Sequence, residues 1–201
     1  MLRVWGGAIL VSLVAGCGGE ATPTPEQPKA QPEVAPEASP DPAPDRDIQR
    51  DAEVQYRSAL ELEAQGKQQE ALEAVDRAIQ LHATPSALLL GSKLAISMGK
   101  LERARRWTED LIAEAPDNAD AHYNLGLIAQ RSNRYNDARS AYLAALRHNP
   151  KHADARFNLV VLTANAGVIE EAKYHRDQFL AEQPGDPREK ALAKLVGESA
   201  N

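Results

Sequence analysis

The sequence predicts an all-α protein: about four helix-turn-helix units in an array, a short C-terminal capping helix, and a disordered proline-rich linker ahead of them. Three observations carry this. Pro116, Pro150 and Pro184 stand 34 residues apart, and aligning the chain on them brings Ala104, Ala138 and Ala172 into one column. Aromatic residues make up only 4% of the chain, a composition that suits helices packed through small side chains better than a sheet over an aromatic core. Prolines crowd residues 20–47 and then become sparse, which places the domain boundary near residue 48.

The first element is a leader. Arg3 precedes an apolar run from Val4 to Ala15, interrupted only by Gly6, Gly7 and Ser12. A membrane-spanning helix needs about 20 apolar residues, so this run is too short to span. Small residues close it, as in a cleaved signal peptide. Val14-Ala15-Gly16-Cys17 resembles the lipobox of bacterial prolipoproteins. The resemblance implies that residues 1–16 are removed, that Cys17 carries the lipid, and that palmitate or a similar chain acylates the new N-terminus. A thiolate is the nucleophile such a linkage needs, and several acyl chains at about 0.8 kcal/mol per buried methylene make a firm anchor. In enterobacterial lipoproteins an Asp after the cysteine favours inner-membrane retention; Gly18 stands there instead. The resemblance therefore points to the outer membrane, facing the periplasm. Cys17 is the sole cysteine, which excludes an internal disulfide and a paired-cysteine zinc site.

The second element, residues 17–47, is the linker. Eight prolines from Pro23 to Pro44 punctuate it, and Val34 is its one clearly apolar side chain beyond alanine. Such a segment cannot bury enough surface to offset the entropy of ordering it. From Gly18 to Asp47 there are seven acids and two bases; this charge keeps the linker off an anionic leaflet and extended. The remainder of the chain is nearly balanced, so nothing in it suggests a nucleic-acid partner, which would select a basic face.

The third element is the repeat domain, residues 48–196. Its units run over about 52–84, 85–118, 119–152 and 153–186. The best formed contains Leu125-Gly126, Tyr135, Ala138, Tyr142, Ala145 and Pro150. This pattern of Leu-Gly, then Ala, then Pro at a period of 34 resembles the tetratricopeptide repeat. The next unit departs from it, with Val160 in the Gly column and Phe179 in the second Ala column. The physics agrees with the resemblance: Leu125, Ile128 and Ala129 lie on one helical face, and three or more stacked units are needed to bury such faces. Residues 187–196 close the array, with Leu192 and Leu195 expected inside and Arg188, Glu189, Lys190 and Lys194 outside.

The resemblance implies a right-handed superhelix whose first helices line a groove for peptides or partner helices. Carried onto this chain, the lining is Leu89 and Lys93 in the second unit; Tyr123, Asn124, Leu127 and Arg131 in the third; and Phe157, Asn158, Val161 and Asn165 in the fourth. Asn amides can bond a peptide backbone through both ends, and Tyr123, Leu127 and Phe157 are apolar anchors. Some members hold a carboxylate with Lys, Asn and Arg; here Asp154 stands in the Lys position and Asn158 in the Arg position, so carboxylate capture is not expected. His148 and His152 have metal-ligand spacing for a helix, but Pro150 interrupts it. No catalytic motif, phosphate loop, cofactor site or small-molecule substrate site is apparent. The functional expectation is a lipid-anchored envelope scaffold that binds other envelope proteins through its groove, for instance in assembly of an envelope complex. The alternative is a structural tether with no peptide ligand.

Overall fold

The computed structural model describes residues 43–197. The leader, Cys17 and most of the predicted linker lie outside them. Among the described residues there are nine helices and no strand. They are α1 (Ala43–Ala64), α2 (Gln68–Leu81), α3 (Pro85–Ser97), α4 (Leu101–Glu114), α5 (Ala119–Arg131), α6 (Tyr135–His148), α7 (Ala153–Asn165), α8 (Ile169–Glu182) and α9 (Glu189–Val196). The first eight form four hairpins, and α9 caps the last. No helix among the described residues is long and apolar enough to cross a membrane.

The boundaries follow from local chemistry repeated at the period. Thr84, Asn118 and His152 close successive units, and each caps the next first helix: their side chains accept from the amides of Ala87, Ala121 and Ala155. The Thr84 and Asn118 caps are each worth about 1 kcal/mol. Within a unit the first helix ends in a left-handed residue: Gly66, Gly99, Asn133 or Gly167. Asn133 is the one non-glycine, and asparagine tolerates that region. The amide after it bonds back five residues, as in Lys100 N–H to the Ala95 carbonyl at 2.8 Å and Arg134 N–H to the Ala129 carbonyl at 2.9 Å, a closure that fixes the hairpin turn. Pro116, Pro150 and Pro184 follow the C-cap residues of α4, α6 and α8, where a proline stops continuation.

Two expectations are corrected. The linker was expected to run to residue 47, yet α1 begins at Ala43. Pro44 falls in its first turn, where amides have no intrahelical acceptor and proline is tolerated, and Asp45 favours the helix N-terminus. In α9 the buried pair is Leu192 and Val196, whereas Leu195 is exposed. Positions four apart share a helix face more closely than positions three apart at this crossing.

Small residues set the packing inside each hairpin. Ala71, Ala104, Ala138 and Ala172 form one column and are fully buried. Gly126 lies under the fully buried Tyr142 ring: a Cβ built there would fall 2.4 Å from the ring Cε1. The column explains its own exception. Val160 replaces Gly126 one unit later, and the residue corresponding to Tyr142 is then Arg176, so no ring occupies the position. Phe179 is likewise buried with Val160, Leu192 and Val196, filling the space between the last hairpin and α9.

On α8, His175 is 7% exposed. Its Nε2 lies 3.8 Å from Glu171, itself held by Arg139. Burial pushes the imidazole below its ordinary value; Glu171 opposes this, while Arg156 and Arg139 add to it.

Two outcomes are expected. Gly126→Ala should destabilise the protein by about 1–3 kcal/mol in urea unfolding, despite the gain in helix propensity, because the Tyr142 ring has no room to shift. Stability should also fall as pH drops from about 6.5 through the lowered His175 value, since the unfolded chain then binds a proton that the folded chain resists. His175→Phe should flatten that part of the unfolding-versus-pH curve, and an unchanged slope would show that other groups set it.

Candidate functional site

The first helices of the second, third and fourth units share a cavity of about 460 Å³. Six of the ten residues expected to line a groove border it: Leu89 and Lys93 from α3, and Tyr123, Asn124, Leu127 and Arg131 from α5. They come together because spacings of three and four residues place them along one side of each helix, and because stacking in register sets α3 beside α5. Asp120, Asp154, Ile96 and Ser97 complete the lining.

The remaining expected residues are distributed differently. Asn165 borders a second cavity of about 520 Å³ with Gln130, Arg131, Tyr135, Leu162 and Ala166. Arg131 is common to both cavities, so the two adjoin at the C-terminal end of α5. Phe157 and Val161 are half-buried and pack against the cluster of Val160, Ala172, Phe179 and Leu192. Asn158 is half-buried and its Nδ2 donates to the Tyr123 hydroxyl at 3.4 Å. Phe157 and Val161 thus face the last hairpin and its cap, where α9 has apolar surface to cover, while Asn158 reaches back to α5.

Most lining side chains also tie one unit to the next. Asn124 is only 5% exposed, and its Nδ2 donates to Ser92 Oγ at 2.9 Å. Arg131 donates to the Ile96 carbonyl. Lys93 pairs with Glu63 on α1 at 2.9 Å. Half of the Asn124 amide is therefore committed to the array, which narrows what it can offer a ligand. Tyr123 packs on the Tyr142 ring at 5.9 Å and the His152 ring at 4.8 Å. Burial raises the Tyr123 phenol pKa, and the nearby Asp154 charge adds to this. Burial raises Tyr142 further, and its hydroxyl donates to Gln130 at 2.6 Å. His152 accepts the Ala155 amide at Nδ1, which assigns the ring proton to Nε2, 3.1 Å from Asp120 Oδ1.

At the C-terminal end of the lining, Arg188 locks the cap. Its guanidinium lies 5.0 Å from the centres of the Phe157 and Phe179 rings. It also pairs with Asp154 at 2.6 Å and Asp186 at 2.8 Å. The same guanidinium holds the Asp186 carboxyl down to about 2.

Asp120 and Asp154 were missed as lining residues. Both lie in the first turn of their helices and are 34 residues apart, one turn before Tyr123 and Phe157; that spacing was the available signal. Among the described residues no group of three metal-ligating side chains converges.

Comparison with known proteins agrees with the repeat fold. Family models of the tetratricopeptide repeat match residues 119–152 and 89–135. The chain carries tetratricopeptide repeats, and its fold is that of a tetratricopeptide array, an architecture of protein-interaction scaffolds. Solved structures share it. A thermophilic tetratricopeptide-repeat protein of Thermus thermophilus is 22% identical, with a TM-score of 0.63 over 72% of this chain and 80% of that one. YrrB, described as having an unusual peptide-binding site, is 20% identical, with a TM-score of 0.60 over 77% and 80%. MamA from Desulfovibrio magneticus is 20% identical, with a TM-score of 0.62 over 68% and 78%. At these identities the likeness is one of fold. A curated relative, the probable biofilm formation methyltransferase WspC of Pseudomonas putida, is 30% identical over 92 residues, 46% of this chain. The match spans 22% of that protein's length, so its name describes a much larger molecule.

Arg188→Ala should loosen α9 without unfolding the hairpins, costing about 1–2 kcal/mol locally. Hydrogen exchange should show faster amide exchange in residues 189–196 and little change in α3–α6. Unchanged protection of α9 would show that Leu192 and Val196 suffice to hold it.

Proposed function

We propose that this chain is a non-catalytic scaffold, anchored to the bacterial envelope through Cys17, that binds an extended or helical segment of another envelope protein along the first helices of its repeats. The observation that carries the reading is the shared cavity: Leu89, Tyr123 and Leu127 give it apolar anchors between charged walls, the combination of few polar groups on an apolar lining that binding sites display. The lipobox-like Val14-Ala15-Gly16-Cys17 and the proline-rich linker support the anchoring half of the proposal. With both, the domain would stand off the outer membrane in the periplasm and hold its partner there, as in assembly of an envelope complex.

A structural tether is the second reading. One observation favours it: Val54 and Leu81 are exposed together in a depression of α1 and α2 at the start of the array, beside Asp51 and Arg77.

Two arms test the proposal in cells. Wild type should incorporate labelled palmitate and Cys17→Ala should not. A photo-crosslinking amino acid at position 93 of the full-length chain should trap a discrete partner that the same group at the exposed position 174 does not. Crosslinks at 174 alone, or at neither, would move the tether reading ahead. Absence of palmitate from wild type would remove the anchor.

A further inference from the structure

Arg131 and Asn165 occupy one column of the repeat, 34 residues apart. Arg131 reaches back one unit and donates to the Ile96 carbonyl. Asn165 is too short to repeat this reach, and it forms no bond to Gln130, the counterpart of Ile96. A cavity of about 520 Å³ opens there instead, bordered by Gln130, Arg131, Tyr135, Leu162, Asn165 and Ala166. One shortened side chain in the column accounts for the space.

The uncommitted polar groups around this cavity are donors. Gln130 Oε1 accepts the Tyr142 hydroxyl at 2.6 Å, which leaves the amide nitrogen as the free end of that side chain. Arg131 commits Nη1 to the Ile96 carbonyl and keeps further N–H groups. Asn165 is exposed, and its amide has no partner among the described residues.

Charge separates this cavity from the one that adjoins it at Arg131. Asp120 and Asp154 border the first, whereas no acid borders the second. Lys93 pairs with Glu63 and Arg188 with Asp154, but Arg131 bonds a carbonyl and no carboxylate. The negative ends of the α5 and α7 dipoles disfavour an anion here; the Arg131 charge and the positive end of α6, which begins at Tyr135, oppose them.

We infer that the second cavity takes an acidic side chain, Glu or Asp, of the segment bound in the groove. Its carboxylate accepts from Arg131 and from the Gln130 and Asn165 amides. Its methylene stem rests on Leu162 and Ala166, while apolar residues of the same segment reach Leu89 and Leu127. The inference rests on the groove-binding proposal and adds the ligand's charge and its direction, with the acid held away from Asp120 and Asp154. The place is distinct from the Asp154 and Asn158 positions, where a carboxylate-holding repeat would carry Lys and Arg.

The test selects binders from a phage-displayed library of random short peptides against the full-length chain in detergent. Recovered peptides are remade with amidated C-termini, so that side chains carry the only carboxylates, and are measured by fluorescence anisotropy. They should share an acidic residue at a fixed distance from an apolar one. Replacing that Glu by Gln should weaken binding about tenfold. Arg131→Gln and Asn165→Asp should each reduce the difference to about twofold or less. Asn165→Asp leaves the Arg131 bond to Ile96 alone, so its effect does not pass through a loosened array. A Glu-over-Gln preference that survives both substitutions overturns the inference. Binders that lack a shared acid but are weakened by Leu89→Ser leave the groove proposal standing and show the acidic assignment to be wrong. A library that yields no binder removes both.

Discussion

A helix pair of this length cannot bury both of its apolar faces by itself, and everything else in the structure answers to that constraint. Within a hairpin the two helices approach closely because the meeting column is held to alanine: Ala71, Ala104, Ala138 and Ala172, all fully buried. Close approach leaves room for one large group per crossing, and in the third unit that group is the Tyr142 ring over Gly126. Between hairpins, burial is continuous: apolar side chains from α1 to α5 form one cluster, α5 to α7 a second, and α7 to α9 a third. Because each cluster spans a unit boundary, loss of one unit strips its neighbour. Stability in such an array is a sum of unit and interface contributions.

The polar bonds obey the same period. Asn124 to Ser92, Asn158 to Tyr123, Arg131 to Ile96 and Arg139 to Glu171 each join residues about one repeat apart. The groove is built from the side chains that hold the array in register. A buried Asn124 whose partner was removed would leave an unsatisfied amide at a cost of about 1–3 kcal/mol, so binding and stacking are not separable at that residue. They separate better at Lys93, which is mostly exposed and pairs only at a surface, where such pairs contribute little. A ligand can compete for Lys93 without opening the interface.

This sharing explains how far the sequence could be read. The fold was legible because its signals repeat: the prolines, the alanine column, and the residues that turned out to be caps. Thr84, Asn118 and His152 could be placed by position, but their shared capping role needed coordinates, since His152 is not a usual cap and acts through Nδ1. The lining was legible in part. Leu89, Lys93, Tyr123, Asn124, Leu127 and Arg131 share a cavity, whereas Phe157 and Val161 have the same register but different neighbours. In register they are equivalent; in place they are not, because the array ends beside them and α9 covers what a further unit would otherwise meet. A column predicts direction from the helix axis, and only the neighbouring element decides between groove and core.

Departures from the repeat are therefore more informative than its matches. Where Gly126 becomes Val160, the ring opposite it has become Arg176. Where the second alanine column reaches Phe179, the following element is no longer a hairpin but the eight residues of α9. A helix that short is marginal alone, and it is held by Leu192, Val196 and the Arg188 guanidinium packed on two phenylalanine rings. Each break in the pattern is matched by a complementary break in what it touches.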